Sequence, residues 1–211
     1  MTNRPRQLVV VTGTGTEVGK TWFAAATVAA LREAGVRVAA RKPVQSFESG
    51  AGPTDADVLA GASGELPDEV CPPSRSLGVP MAPPMAAESL GLPPFTVAEL
   101  AAEIGWPPGI EVGVVEGVGG PRSPLAADGD TVDLVAALRP DAVVLVADAG
   151  LGAINAVRLS VAPFDGHEVV AALNRYDETD DLHRRNRKWL SDHARVEVVV
   201  APDALATRLR N

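Results

Sequence analysis

Six short apolar runs rich in valine, at residues 8–11, 36–40, 112–115, 142–147, 169–173 and 196–200, punctuate an otherwise mixed chain. Runs of this length, bounded by turn residues, predict strands buried on both faces. Between them lie segments of helical pattern: residues 21–34 closed by Gly35, 97–104 before Gly105, 131–138 before Pro140, and 181–193. Strands alternating with helices predict right-handed βαβ units. The expected fold is therefore α/β, with a mostly parallel central sheet and helices on both faces. Residues 67–94 carry prolines and small residues without a period, which predicts an irregular surface excursion. Trp106 and its neighbouring prolines read as a loop plug, and the pattern alone assigns Trp22 and Trp189 to helix packing.

Composition narrows the class. The 211 residues suit one domain, 1–211, better than two. Aromatic residues make up 4% of the chain, so the core must be built from Val, Leu and Ala. A formal charge of −8 works against nucleic acid as the main partner. The basic run at residues 184–188 directly follows acidic residues, which reads as a solvated, charge-mixed helix. One cysteine, Cys71, cannot form an internal disulfide, and no Cys/His group has zinc-ligand spacing. His167, His183 and His193 read as solvated side chains. No apolar stretch approaches membrane-spanning length. A cytoplasmic location is expected.

After the first strand comes GTGTEVGKT, residues 13–21, and then an Ala-rich helical segment. Glycines there let successive N–H groups turn inward around phosphate oxygens, and the helix N-terminus adds partial positive charge. This is a phosphate loop, one residue longer than the common GxxxxGK[ST] spacing because the first glycine is Gly13. Lys20 is expected to reach the β and γ phosphates, and the Thr21 hydroxyl to ligate Mg²⁺. Lys42, in KPVQS, ends the second strand at the carboxyl edge of the sheet, where open α/β folds bind ligands. Glu116 ends another apolar strand before a glycine turn and suits a Mg²⁺-holding acid. Asp148, ending the next strand, competes for that role, and Asp55 is either a metal carboxylate or a helix N-terminal acid.

The order and spacing of GTGTEVGKT, KPVQS, the Asp55 region, VEGVGG and GLGAIN, together with APPMAAE, resemble the dethiobiotin synthetases, ATP-dependent ligases of biotin biosynthesis with a P-loop NTPase-like fold. The resemblance runs from Val10 to about Asn174 and thins beyond it. It implies the substrates 7,8-diaminononanoate, CO₂ and ATP, with Mg²⁺ as cofactor. An amine captures CO₂ as a carbamate, which attacks the γ-phosphate to give a carbamic–phosphoric anhydride; the second amine then closes the ureido ring. By resemblance, Thr16, Lys20, Lys42 and Ser46 surround the carbamate and γ-phosphate. Thr21, Asp55 and Glu116 hold Mg²⁺. Gly13, Glu17, Val18, Gly19 and Trp22 of the loop, Gly117, Val118 and Gly119 of the glycine turn, Asn174 and Pro202 contact the nucleotide, the last two near the adenine. A homodimer is implied, with Leu151 and Asn155 reaching the diamine of the partner site and the amides near Gly150 and Gly152 approaching a ligand carboxylate.

Three positions depart from the family pattern: Gly15 in place of Asp, Val118 in place of Ala, and Ala156 in place of His. Two other functions fit parts of the chain. A partitioning or metal-delivery ATPase of the same fold group would carry a second lysine early in its loop, where this chain has Thr14, Gly15 and Thr16. A noncatalytic binding domain would keep the loop without the diamine site, against which stand Lys42 and Ser46.

Overall fold

A computed structural model of the chain describes residues 4–194 and 196–210. Six strands, β1 (Gln7–Gly13), β2 (Val38–Arg41), β3 (Val112–Glu116), β4 (Ala142–Asp148), β5 (Val169–Asn174) and β6 (Glu197–Val199), form one sheet in the order β6-β5-β4-β1-β3-β2. Every pairing in it is parallel. Alternate side chains of β1 enter opposite faces. Val9 and Val11 join a cluster with Phe23, Val28 and Leu31, whereas Leu8 and Val10 join one with Leu100, Leu134 and Val135. A strand covered on both sides has no solvated face, which is why these runs show no polar alternation.

Helices cover both faces. α1 (Lys20–Glu33), α2 (Asp55–Ser63) and the C-terminal α9 (Pro202–Arg210) lie on the Val9 side. On the Leu8 side lie α5 (Val97–Glu103) and α6 (Thr131–Leu138), while α7 (Ala153–Val161) covers β4 and β5 beside them. Leu134 is fully buried; its truncation to alanine should cost about 2–5 kcal/mol. α2, α5 and α6 each start at a capping box, on Thr54, Thr96 and Asp130. Such boxes satisfy helix N–H groups that have no partner within the helix.

The structure corrects three expectations. Residues 67–94 are not wholly irregular: they contain α3 (Pro67–Val70) and α4 (Pro83–Ser89), each with proline in its first turn, where the missing N–H costs nothing. The helix expected over 181–193 is α8 (Asp181–Trp189), which widens into a π-helical turn at Leu190–Ala194. The pattern assigns no helix beyond residue 193, yet Pro202 opens α9, whose Leu205, Ala206 and Leu209 are buried in the core.

Candidate functional site

The sheet order makes β1, β3 and β2 neighbours, so their carboxyl ends bring the segments that follow them to one place. Val11 lies in register with Glu116, and Val115 with Arg41. Lys42, one residue beyond β2, therefore arrives opposite Glu116. α2 supplies the fourth group, because its first residue is Asp55 and its Thr54 cap fixes where the helix begins.

The resulting cluster is tight. Lys42 Nζ lies 2.6 Å from Glu116 Oε1 and 2.7 Å from Asp55 Oδ2, and donates to Gly117 O at 2.9 Å. The Thr21 hydroxyl oxygen is 2.8 Å from Asp55 Oδ1 and 2.9 Å from Glu116 Oε1. One hydroxyl proton cannot serve both carboxylates. Two carboxylate oxygens and a hydroxyl thus converge with more acceptor capacity than the described residues fill, and Glu116 Oε2 is buried with no partner among them. Burial pulls the Lys42 ammonium down, but the carboxylates of Glu116 and Asp55 outweigh it and hold the group above the ordinary lysine range. Asp55 is pushed up by burial and pulled further down by Lys42 and Thr21, ending below the usual carboxylate range. Glu116 stays above that range because its burial outweighs Lys42.

The cluster floors a cleft of about 570 Å³, lined on its walls by Thr16, Glu17, Lys20, Trp22, Ser46 and Val118. Trp22 is 59% exposed, so it does not pack into the core as its helix pattern implied; it stands at the cleft. Lys20 Nζ donates to Gly15 O across the loop at 2.9 Å. Burial, then the Lys42 charge, lower its pKa. The N–H groups of residues 15–19 have no protein acceptor among the described residues, as a loop that binds an anion through its backbone requires. Gly13 is required by close packing, since a Cβ there would lie 2.7 Å from Val18 Cγ2. Gly119 has φ +57°, and its Cβ would lie 2.4 Å from Ser123 Oγ.

Other expected site residues lie elsewhere. Asp148, the rival for the metal role, pairs with Arg175 at 2.7 Å and accepts from Gly150 N–H at 2.8 Å. That bond also removes the Gly150 amide from the pair of glycine amides expected to meet a ligand carboxylate, leaving Gly152. Leu151, 93% exposed, and Asn155, also exposed, do not line the cleft. Asn174 sits against the back of the loop, donating to Val18 O at 3.0 Å. His183 is not simply solvated but accepts from Asp177 N–H at 3.0 Å and lies against Tyr176. Trp106, the expected plug, stacks under the Arg41 guanidinium and packs close to Gly113.

Three residues escaped the sequence reading. Gln45 accepts from Ala56 N–H and donates to Ser76, tying the strand-end loop to the turn of α2 that carries Asp55. Asn186 donates to both Ala149 O and Gly150 O. Arg175 donates to Glu17 O at 2.8 Å. Gln45 lies inside KPVQS and Asn186 inside the basic run, where neighbouring charged residues draw attention away from them; both are buried, 4% and 6% exposed.

A family model described as an AAA domain matches residues 7–201. The ATP-dependent dethiobiotin synthetase BioD of Anaeromyxobacter dehalogenans (strain 2CP-C) is 38% identical over 176 residues, covering 81% of this chain and 78% of that protein. The chain belongs to the ATP-dependent dethiobiotin synthetase family. Membership places it among ATP-dependent ligases. The dethiobiotin synthetase BioD of Rhodococcus jostii (strain RHA1) is 42% identical over 156 residues, or 73% of this chain; the match spans 66% of that protein, just under two thirds. The chain also shares its fold with the signal recognition particle receptor FtsY from Elizabethkingia anophelis, at a TM-score of 0.55, 14% identity, and coverage of 99% of this chain and 66% of that one. Among the described residues no helix is long and apolar enough to cross a membrane.

Proposed function

We propose that the chain, acting as one P-loop α/β domain, is a Mg²⁺-dependent cyclo-ligase that forms the ureido ring of dethiobiotin from 7,8-diaminononanoate, CO₂ and ATP. The observation that carries this reading is the convergence of Lys42, Asp55, Glu116 and Thr21 beside the phosphate loop, in a chain of this family. A loop alone would bind nucleotide; a buried lysine and two acids facing it supply the means for chemistry.

The donor set fits a hard divalent cation. Thr21 Oγ1, Asp55 Oδ1 and Glu116 Oε1 are oxygen donors of the type Mg²⁺ takes, and the partnerless Glu116 Oε2 leaves capacity to spare. Bound there, Mg²⁺ would neutralise charge on the β and γ phosphates.

In this mechanism the loop amides of residues 15–19 bind phosphate oxygens, with Gly13, Val18 and Gly19 shaping the loop. CO₂ adds to one amine of the diamine, which loses a proton and becomes a carbamate. A carbamate oxygen attacks the γ-phosphorus, forming a P–O bond as the bond to ADP breaks. The second amine attacks the carbonyl carbon of this anhydride, the ring closes, and inorganic phosphate leaves. Lys20 and Lys42 offset the negative charge that gathers on the transferring phosphoryl group, as preorganised donors do. Thr16 and Ser46 orient the carbamate by hydroxyl hydrogen bonds. Asn174 and Pro202 lie toward the base, Trp22 and residues 117–119 flank the nucleotide. Leu151 and Asn155, exposed and outside the cleft, serve the diamine site of a partner copy in a homodimer.

Phosphate release by the purified protein should require both the diamine and bicarbonate in addition to MgATP. Release that proceeds at the same rate without the diamine contradicts the proposal and supports a switch-type ATPase.

A further inference from the structure

Behind the phosphate loop, the last residue of β5 and the residue after it grip two consecutive carbonyls of the loop. Asn174 Nδ2 donates to Val18 O at 3.0 Å, and Arg175 donates to Glu17 O at 2.8 Å. No described peptide is cis, and a trans peptide points its C=O and its following N–H to opposite sides. A Glu17 carbonyl drawn back toward Arg175 therefore turns the Val18 N–H away from Arg175, and a Val18 carbonyl held by Asn174 does the same for the Gly19 N–H. Those two amides are among the ones with no protein acceptor.

The backbone is held in a costly shape to make these contacts. Among the described residues three that are not glycine have positive φ, and two of them are Glu17 at +60° and Arg175 at +56°. Such conformations persist where surrounding contacts over-determine them. Gly19, at φ +88°, completes the arrangement, since a Cβ there would fall 2.1 Å from Asn174 Nδ2. The other arm of the Arg175 guanidinium pairs with Asp148 at 2.7 Å. Both of those side chains are about half exposed, and an ion pair of that kind contributes little stability by itself.

We propose that Arg175 is a positioning residue for phosphate binding, which acts by holding the Glu17–Val18 peptide with its N–H facing the phosphates. The inference rests on the nucleotide reading of the loop. It adds a distinct requirement: Arg175 governs affinity for the phosphates and leaves the nucleoside untouched. Asp148 supports it from behind without sharing that effect, because Arg175 keeps its bond to Glu17 O when the ion pair is removed.

The test compares binding of MgADP and of adenosine by calorimetry, with adenosine read by displacement where weak. Arg175→Ala should weaken MgADP roughly tenfold, the scale of one misdirected hydrogen bond to an anion, and leave adenosine within about twofold. Arg175→Gly relieves the positive φ while removing the side chain, so it should match Arg175→Ala, and Arg175→Lys should recover part of the loss. Asp148→Asn should stay within about twofold of wild type for both ligands. An equal loss for adenosine and MgADP, unchanged MgADP binding in Arg175→Ala, or normal binding in Arg175→Gly would each overturn the proposal while leaving the nucleotide reading intact. Wild-type protein that binds MgADP no better than adenosine would overturn both.

Discussion

Lys42 and Glu116 form a closed pair: Nζ and Oε1 are 2.6 Å apart, and the two side chains are 2% and 0% exposed. A charge left alone in such a place is far more costly than the pair itself. Lys42→Met should therefore destabilise the protein by about 3–5 kcal/mol, and adding Glu116→Gln should restore part of it. Urea denaturation of the two single variants and the double variant measures the coupling. Additive losses would mean that the two groups do not depend on each other.

The Asp55 carboxyl sets an acid limb. Its pKa is depressed below the ordinary value because Lys42 and Thr21 outweigh its burial. A depressed folded pKa contributes stability that is present above the unfolded value, about 3.9, and is lost as pH falls through the folded one. Asp55→Asn should lower the urea midpoint at neutral pH and flatten its decline toward acid. A variant curve parallel to that of the wild type down to the acid end would count against the Lys42–Asp55 contact.

Metal dependence separates the acids at the strand ends. Glu116→Gln keeps the shape and removes the charge, so the Mg²⁺ concentration for half-maximal activity should rise by roughly tenfold or more. Asp148→Asn should leave it unchanged, since that carboxylate is engaged by Arg175 and Gly150. The reverse pattern would transfer the metal role to Asp148.

Much of this site was legible from the chain alone, for reasons particular residues show. The loop, Lys42 and Glu116 each follow a valine-rich strand, and parallel strands covered on both faces leave continuous apolar runs that are easy to see. Which of these ends would be neighbours was not legible, because the order β4-β1-β3-β2 arises from packing across long stretches of sequence. The α9 helix was missed because VVVAP reads as a strand ending in a turn; the buried spacing of Leu205, Ala206 and Leu209 would have revealed it. Arg175 was invisible for another reason: its bond to Glu17 joins positions 158 residues apart, and no local pattern marks a residue that acts on distant backbone.

The proposed sharing of the diamine site between two copies would have a direct consequence. In mixtures of Asn155→Ala and Lys42→Ala proteins, each mixed dimer would hold one site free of both changes. Activity should return on mixing. If the subunits exchange, as shown by differently tagged chains, and activity stays absent, the diamine site lies within one chain.

Purified protein incubated with ATP, Mg²⁺, bicarbonate and 7,8-diaminononanoate should yield dethiobiotin, identified by mass, with one carbon from labelled bicarbonate in the product and ADP formed in equal amount. If ADP and phosphate accumulate with no ureido product, or the product carries no label, the chain does not close a ureido ring from CO₂.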